Sequence, residues 1–224
     1  MDFGKAFSFP FEDADWLKKI GIAALLIFIP LLGMLWVSGW SLEITKKVIR
    51  RDPEPLADWD DFGGYLVRGF QVFIIGFVYA LPIILASTCV SVIFPAAMDP
   101  NAADEAGYAA IAAMVCVYCL VIIYSILLAF VIPAALGHFA NEGKFSAAFR
   151  FGEVFGLVRA APGAYLLALV GNIIAGFIAG LGVILCAVGV VLTMAYSQAI
   201  IGHLNGQAYL EATSNSGLEP VEAV

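Results

Sequence analysis

The sequence predicts an all-α, polytopic membrane protein, and two observations carry that expectation. Phe70 to Met98, Ala109 to Gly137 and Ala160 to Tyr209 hold no Asp, Glu, Lys or Arg. Every Lys and Arg falls between Lys5 and Arg68 or between Lys144 and Arg159. The 224 residues are 62% hydrophobic and 13% charged, whereas soluble domains carry about 25% charge. A helix of about 20 residues crosses the hydrocarbon and satisfies its own backbone there. Runs this long and this apolar are read as such helices, in one membrane domain spanning residues 1–207.

The chain opens with an aromatic, partly charged elbow at 3–19. Such a mixture suits a helix lying at the lipid interface. No secretory signal is read, because acidic residues precede the first apolar run and no small-residue cleavage site follows it. That run, 20–42, is basic on both flanks: Lys5, Lys18 and Lys19 before it, Lys46, Lys47, Arg50 and Arg51 after it. Basic residues collect on the cytoplasmic side. One crossing would put a basic flank outside; a re-entrant hairpin turning near Pro30-Leu-Leu-Gly33 keeps both inside. The re-entrant form is preferred over a single Pro-kinked span.

A second elbow occupies 53–69, followed by predicted spans at 70–97 and 109–137. The loop between them, Met98 to Gly107, has no basic residue and is expected outside. A third elbow covers 145–160. The last apolar run splits at Gly180-Leu-Gly182 into spans 164–181 and 183–204. This gives four full spans in two hairpins, with an acidic cytoplasmic tail at 208–224. Three units of elbow then hairpin form a loose internal repeat. Gly137-His138 and Gly202-His203 stand at matching exits.

The opening Phe3-Gly-Lys-Ala-Phe-Ser-Phe-Pro-Phe-Glu-Asp-Ala-Asp-Trp-Leu-Lys-Lys19 resembles that of a prokaryotic membrane family, domain of unknown function 4013. Pro53-Glu-Pro-Leu-Ala-Asp-Trp-Asp-Asp-Phe62 and Asn141-Glu-Gly-Lys-Phe-Ser-Ala-Ala-Phe149 fit it too, and the likeness covers about residues 3 to 207. Ala14 stands where that family would have Pro. The resemblance implies the cytoplasmic membrane of a bacterium or archaeon. It brings no catalytic or binding residue.

Chemistry-bearing residues are sparse. His138 and His203 are the cofactor candidates, since neutral imidazole binds haem or metal. With no further ligands nearby they read better as helix-end anchors, and no cofactor is expected. Cys116 and Cys119 share a spacing used by zinc sites but lie among apolar residues. With Cys89 and Cys186 they are read as packed thiols, and no metal is expected. Asp13/Asp15 and Asp58/Asp60/Asp61 suit a divalent cation less well than helix capping, with Asp15 and Asp58 as the caps. Lys46, Lys47, Arg50 and Arg51 are the lipid-headgroup candidates. Gly176 and Gly180 form a Gly-xxx-Gly pair for helix packing. Asn172 and Gln198 are expected to hydrogen-bond across the last hairpin.

The net charge of −7 and the lack of a basic stripe exclude a nucleic-acid partner. No nucleophile, base and acid stand together. The expected role is therefore non-enzymatic: an accessory or scaffold subunit packing against membrane proteins or lipids, or a homo-oligomer. A small oligomeric transporter or channel is one alternative. A lipid-acting enzyme using Asp60, Asp61 or Glu153 is the other.

Overall fold

Pro30 breaks the first apolar run. In the computed structural model, which describes residues 1–97 and 104–216, helix α2 (Trp16–Ile27) ends three residues before it. Helix α3 (Leu32–Ile49) starts two residues after it. Leu31 makes the turn at φ 64°. The two helices fold back on each other so closely that a Cβ on Gly33 would overlap the carbonyl oxygen of Leu26. The run is thus two helices folded back on each other and not one continuous helix. A short α1 (Lys5–Ser8) and a 3-10 turn (Phe9–Glu12) precede it.

Beyond the hairpin come α4 (Phe62–Ala97), α5 (Asp104–Glu142), α6 (Phe151–Ala160), α7 (Pro162–Leu181) and α8 (Cys186–Ser216). Two further 3-10 turns lie at Phe145–Phe149 and Gly182–Leu185. No strand occurs among the described residues. Segments Phe62–Val92, Gly107–Glu142 and Pro162–Ile184 are long and apolar enough to cross a membrane, with mean hydropathies of 2.3, 2.9 and 2.3. The loop residues 98–103 and the tail from 217 lie outside the described residues.

Several boundaries differ from the sequence reading. Helix α4 begins eight residues before its apolar run, so residues 62–69 of the second elbow are its first turns. The third elbow is the 3-10 turn plus α6, which buries Val154 and Leu157. The last hairpin turns at 182–185. Helix α8 continues to Ser216 and buries Ala208, Tyr209, Ala212 and Thr213. Those four recur on one face at helical spacing, so this part of the expected tail is core.

The chain divides into two compact units. One is Met1–Ile75 with Phe130–Val224; the other is Gly76–Ala129. The second unit is the central part of the α4–α5 hairpin. It is held by apolar contact and by the Tyr124 hydroxyl donating to the Tyr79 carbonyl at 2.9 Å. Cys89, Cys116 and Cys119 lie exposed on this hairpin. They are not the packed thiols expected; in hydrocarbon a lipid-facing thiol carries no desolvation cost that packing must offset. The side chain of Cys186 lies outside the described residues.

The first unit closes through glycines. Helices α3 and α4 cross at Gly39 and Gly69, where added Cβ atoms would overlap the carbonyl oxygens of Tyr65 and Leu35. Helices α3 and α8 cross at Gly202 and Gly206; a Cβ on Gly206 would stand 2.7 Å from Val48 Cβ. The backbones approach closely enough for the Ser41 hydroxyl to donate to the Gln198 carbonyl at 2.7 Å. Thr45 donates to the Gly202 carbonyl at 2.9 Å. Small residues and side-chain-to-backbone bonds of this kind hold helices together where water is absent. A Cβ added at Gly176 or Gly180, the predicted packing pair, would meet nothing within 4 Å among the described residues, and both glycines are exposed. The Gly-xxx-Gly pair used inside the chain is Gly202–Gly206.

Candidate functional site

Lys19 opens the first apolar run, and its ammonium is buried with the residue 6% exposed. It donates to Asp13 at 2.6 Å and to the Leu56 carbonyl at 3.1 Å, and pairs with Asp58 at 3.0 Å. Trp59 Nε1 donates to the Lys19 carbonyl at 2.8 Å. Trp40 Nε1 donates to the Ala57 carbonyl at 2.8 Å and stacks on Trp59. Burial alone would lower the Lys19 ammonium; its bonds to Asp13 and Asp58 outweigh that and hold it above its ordinary value.

This arrangement corrects the capping expectation. Asp13 and Asp58 pair with the Lys19 ammonium instead. Asp15 sits at the N-cap of α2 without a capping bond from its side chain. Asp58 makes no capping bond among the described residues; Asp61 caps α4 by accepting from the Gly64 amide at 2.9 Å. That amide holds the Asp61 carboxyl below its ordinary value, against a small opposing effect of burial and with help from Arg68.

A second polar constellation forms where α5 ends. Gly143, at φ 67°, terminates the helix with its amide on the Phe139 carbonyl. The last turns of α5 therefore present His138 and Glu142, four residues apart, on one face. His138 Nε2 lies 2.8 Å from Glu153 Oε2 on α6 and 3.3 Å from Glu142 Oε1. Its Nδ1 lies 3.3 Å from the buried Tyr209 hydroxyl on α8. Arg150 bonds Glu153 at 2.9 Å and closes on Glu142. Burial opposes ionisation of Glu153, but hydrogen bonds from His138 and Arg150 prevail and keep its carboxyl below its ordinary value. Among the described residues, His138, Glu142 and Glu153 are the group whose ligand atoms lie close enough, within 4.8 Å of one another, to hold a metal ion.

A family model described as Protein of unknown function (DUF4013) matches residues 22–188. The chain belongs to this family. No curated protein and no solved structure matches it. The DUF4013 match takes in the second and third motif segments and the His138–Glu142–Glu153 group. It starts after the opening segment and ends before His203. In this DUF4013 chain the opening and second motif segments meet at Lys19, and the third supplies Glu142.

The remaining candidates scatter. His203 is buried, stacks on Phe9 at 4.3 Å and bonds Gln207 at 3.1 Å. Among the described residues no contact joins it to His138. Lys46 pairs with Glu43 and Lys47 with Asp52; Arg50 and Arg51 are exposed. Arg51, at φ 55°, occupies the left-handed position of a Schellman turn ending α3, with Asp52 N on the Lys47 carbonyl. Asn172 does not bond Gln198; its Oδ1 is buried without a partner among the described residues. Thr193, donating to the Ala179 carbonyl at 3.0 Å, joins that hairpin instead. Gln198 lines a cleft of about 70 Å³ with Ser38, Ser41, Thr45 and Asn205. Asp60 and Asp61 are exposed and share no contact with Glu153.

Proposed function

We propose that this DUF4013 protein is a non-enzymatic subunit of the cytoplasmic membrane of a bacterium or archaeon. It packs as an accessory or scaffold chain against another membrane protein. In this reading α4, α5, α7 and α8 cross the bilayer, the α2–α3 hairpin re-enters from the cytoplasmic side, and the C-terminus is cytoplasmic. Lipid covers the hairpin of the second unit, and Arg50 and Arg51 face anionic headgroups.

The observation that carries the proposal is the open Gly176–Gly180 face of α7. The close helix approaches at Gly33, Gly39, Gly69, Gly202 and Gly206 each use a missing Cβ to make room for a neighbour. Among the described residues nothing lies within 4 Å of a Cβ added at Gly176 or Gly180, and a second helix fits there at backbone distance. The test is mild extraction from the native membrane, comparing the wild type with a Gly176→Leu/Gly180→Leu variant. The fold should survive, because both positions open on free space. The wild type should bring down a second polypeptide in fixed stoichiometry, and the variant should lose it. A bare monomer from the wild type, or an unchanged complex from the variant, contradicts the proposal. The cleft beside Gln198 favours a transporter as the second reading. At about 70 Å³ it has room for about two water molecules, and this small size keeps that reading second.

A further inference from the structure

Nothing in the accessory role calls for the His138 group, yet its geometry is that of a ligand set. A transition metal bound about 2.1 Å from nitrogen and oxygen donors sets neighbouring donors roughly 3.0 to 3.4 Å apart. His138 Nε2 lies 2.8 Å from Glu153 Oε2 and 3.3 Å from Glu142 Oε1. The His138–Glu142 edge of such a coordination face therefore already has the right length, and the His138–Glu153 edge is slightly short of it. His138 and Glu142 stand one turn apart on α5, and Glu153 reaches them from α6 across the Gly143 turn.

We propose that His138 Nε2, Glu142 and Glu153 form a binding site for one divalent transition metal ion. The groups around them supply what such a site needs. Tyr209, from a third helix and only 3% exposed, takes the other ring nitrogen of His138. A partner at that position fixes the ring and leaves Nε2 to the metal. Arg150 engages Glu142 through Oε2, the oxygen turned away from His138, so it orients that carboxylate without taking its ligating atom. On Glu153 it holds Oε2, the oxygen nearest His138, so a metal ion binding there takes that oxygen from Arg150. His138 is buried while the Glu153 side chain is half exposed. The site thus opens toward Glu153, where water can complete the coordination shell. A nitrogen and two carboxylates suit Mn²⁺, Fe²⁺, Co²⁺ or Zn²⁺ better than Ca²⁺ or a thiolate-seeking ion.

The probe is Co²⁺, added to full-length protein freed of any histidine tag and followed by its visible absorption, with Zn²⁺ as competitor. One Co²⁺ per chain should bind and be displaced by Zn²⁺. Glu153→Gln should weaken binding at least tenfold while leaving the fold intact, since its side chain is half exposed. His138→Gln should abolish the spectrum. Arg150→Ala should strengthen binding by freeing Glu153. No saturable Co²⁺ spectrum, or one unchanged in both ligand variants, overturns the site. A purely structural ion-pair network would show Arg150→Ala losing stability with no Co²⁺ bound, and that result overturns it equally.

Discussion

Replacing Lys19 with Met should destabilise the protein by about 3–5 kcal/mol, the cost of stripping one partner from a buried ion pair. The side chains of Lys19 and Asp13 are 7% and 9% exposed, so the orphaned Asp13 carboxylate has little water to turn to. The Leu56 carbonyl would lose its donor as well. Asp13→Asn in the Lys19→Met background should recover much of the loss, because the uncompensated charge disappears. The asparagine amide would keep an oxygen for the Asp15 backbone N–H, which now bonds Asp13 at 2.8 Å. Denaturant unfolding in a mild detergent reads this directly through the stacked Trp40 and Trp59. Equal stability of wild type and Lys19→Met would mean that this junction does not hold the hairpin in place.

Gly39→Ala should cost at least about 3 kcal/mol, the upper end of ordinary overpacking. The added methyl would meet the Tyr65 carbonyl, which is helix backbone and cannot swing aside as a side chain would. Gly69→Ala, opposite it, should behave alike, and helices α3 and α4 must part to admit either. Gly76→Ala, seven residues on along α4, meets nothing within 4 Å. It should be neutral or stabilising by up to about 1 kcal/mol through helix propensity. Thermal melts of the three variants separate a close backbone crossing from a general dislike of alanine.

These positions show what is legible in the sequence. The all-helical class and the three long apolar helices follow from charge-free runs, because hydrocarbon excludes ionised groups wherever they fall. The break at Pro30 follows from backbone chemistry. What stays hidden is which residues meet. Lys19 reads as one more basic flank, since its partner carbonyl lies 37 residues away and becomes adjacent only once α2 and α3 fold back. Gly176–Gly180 and Gly202–Gly206 have the same spacing; composition gives no hint that the second faces α3 and the first faces outward. His138 and Glu153 stand out in the sequence only separately. The signal that could have joined them is Gly143, a helix-ending glycine just past Glu142 that sends α6 back toward His138.

If the first apolar run re-enters the bilayer as proposed, both of its basic flanks lie on one face of the membrane. Lys18 and Arg50 bracket the hairpin, and both are exposed. Lys18→Cys and Arg50→Cys, each in a cysteine-free background, can be labelled with a membrane-impermeant maleimide in right-side-out and in inverted vesicles. Both should react in inverted vesicles and neither in right-side-out ones. Reaction of the two from opposite sides would make α2–α3 a through-span and contradict the proposed re-entry.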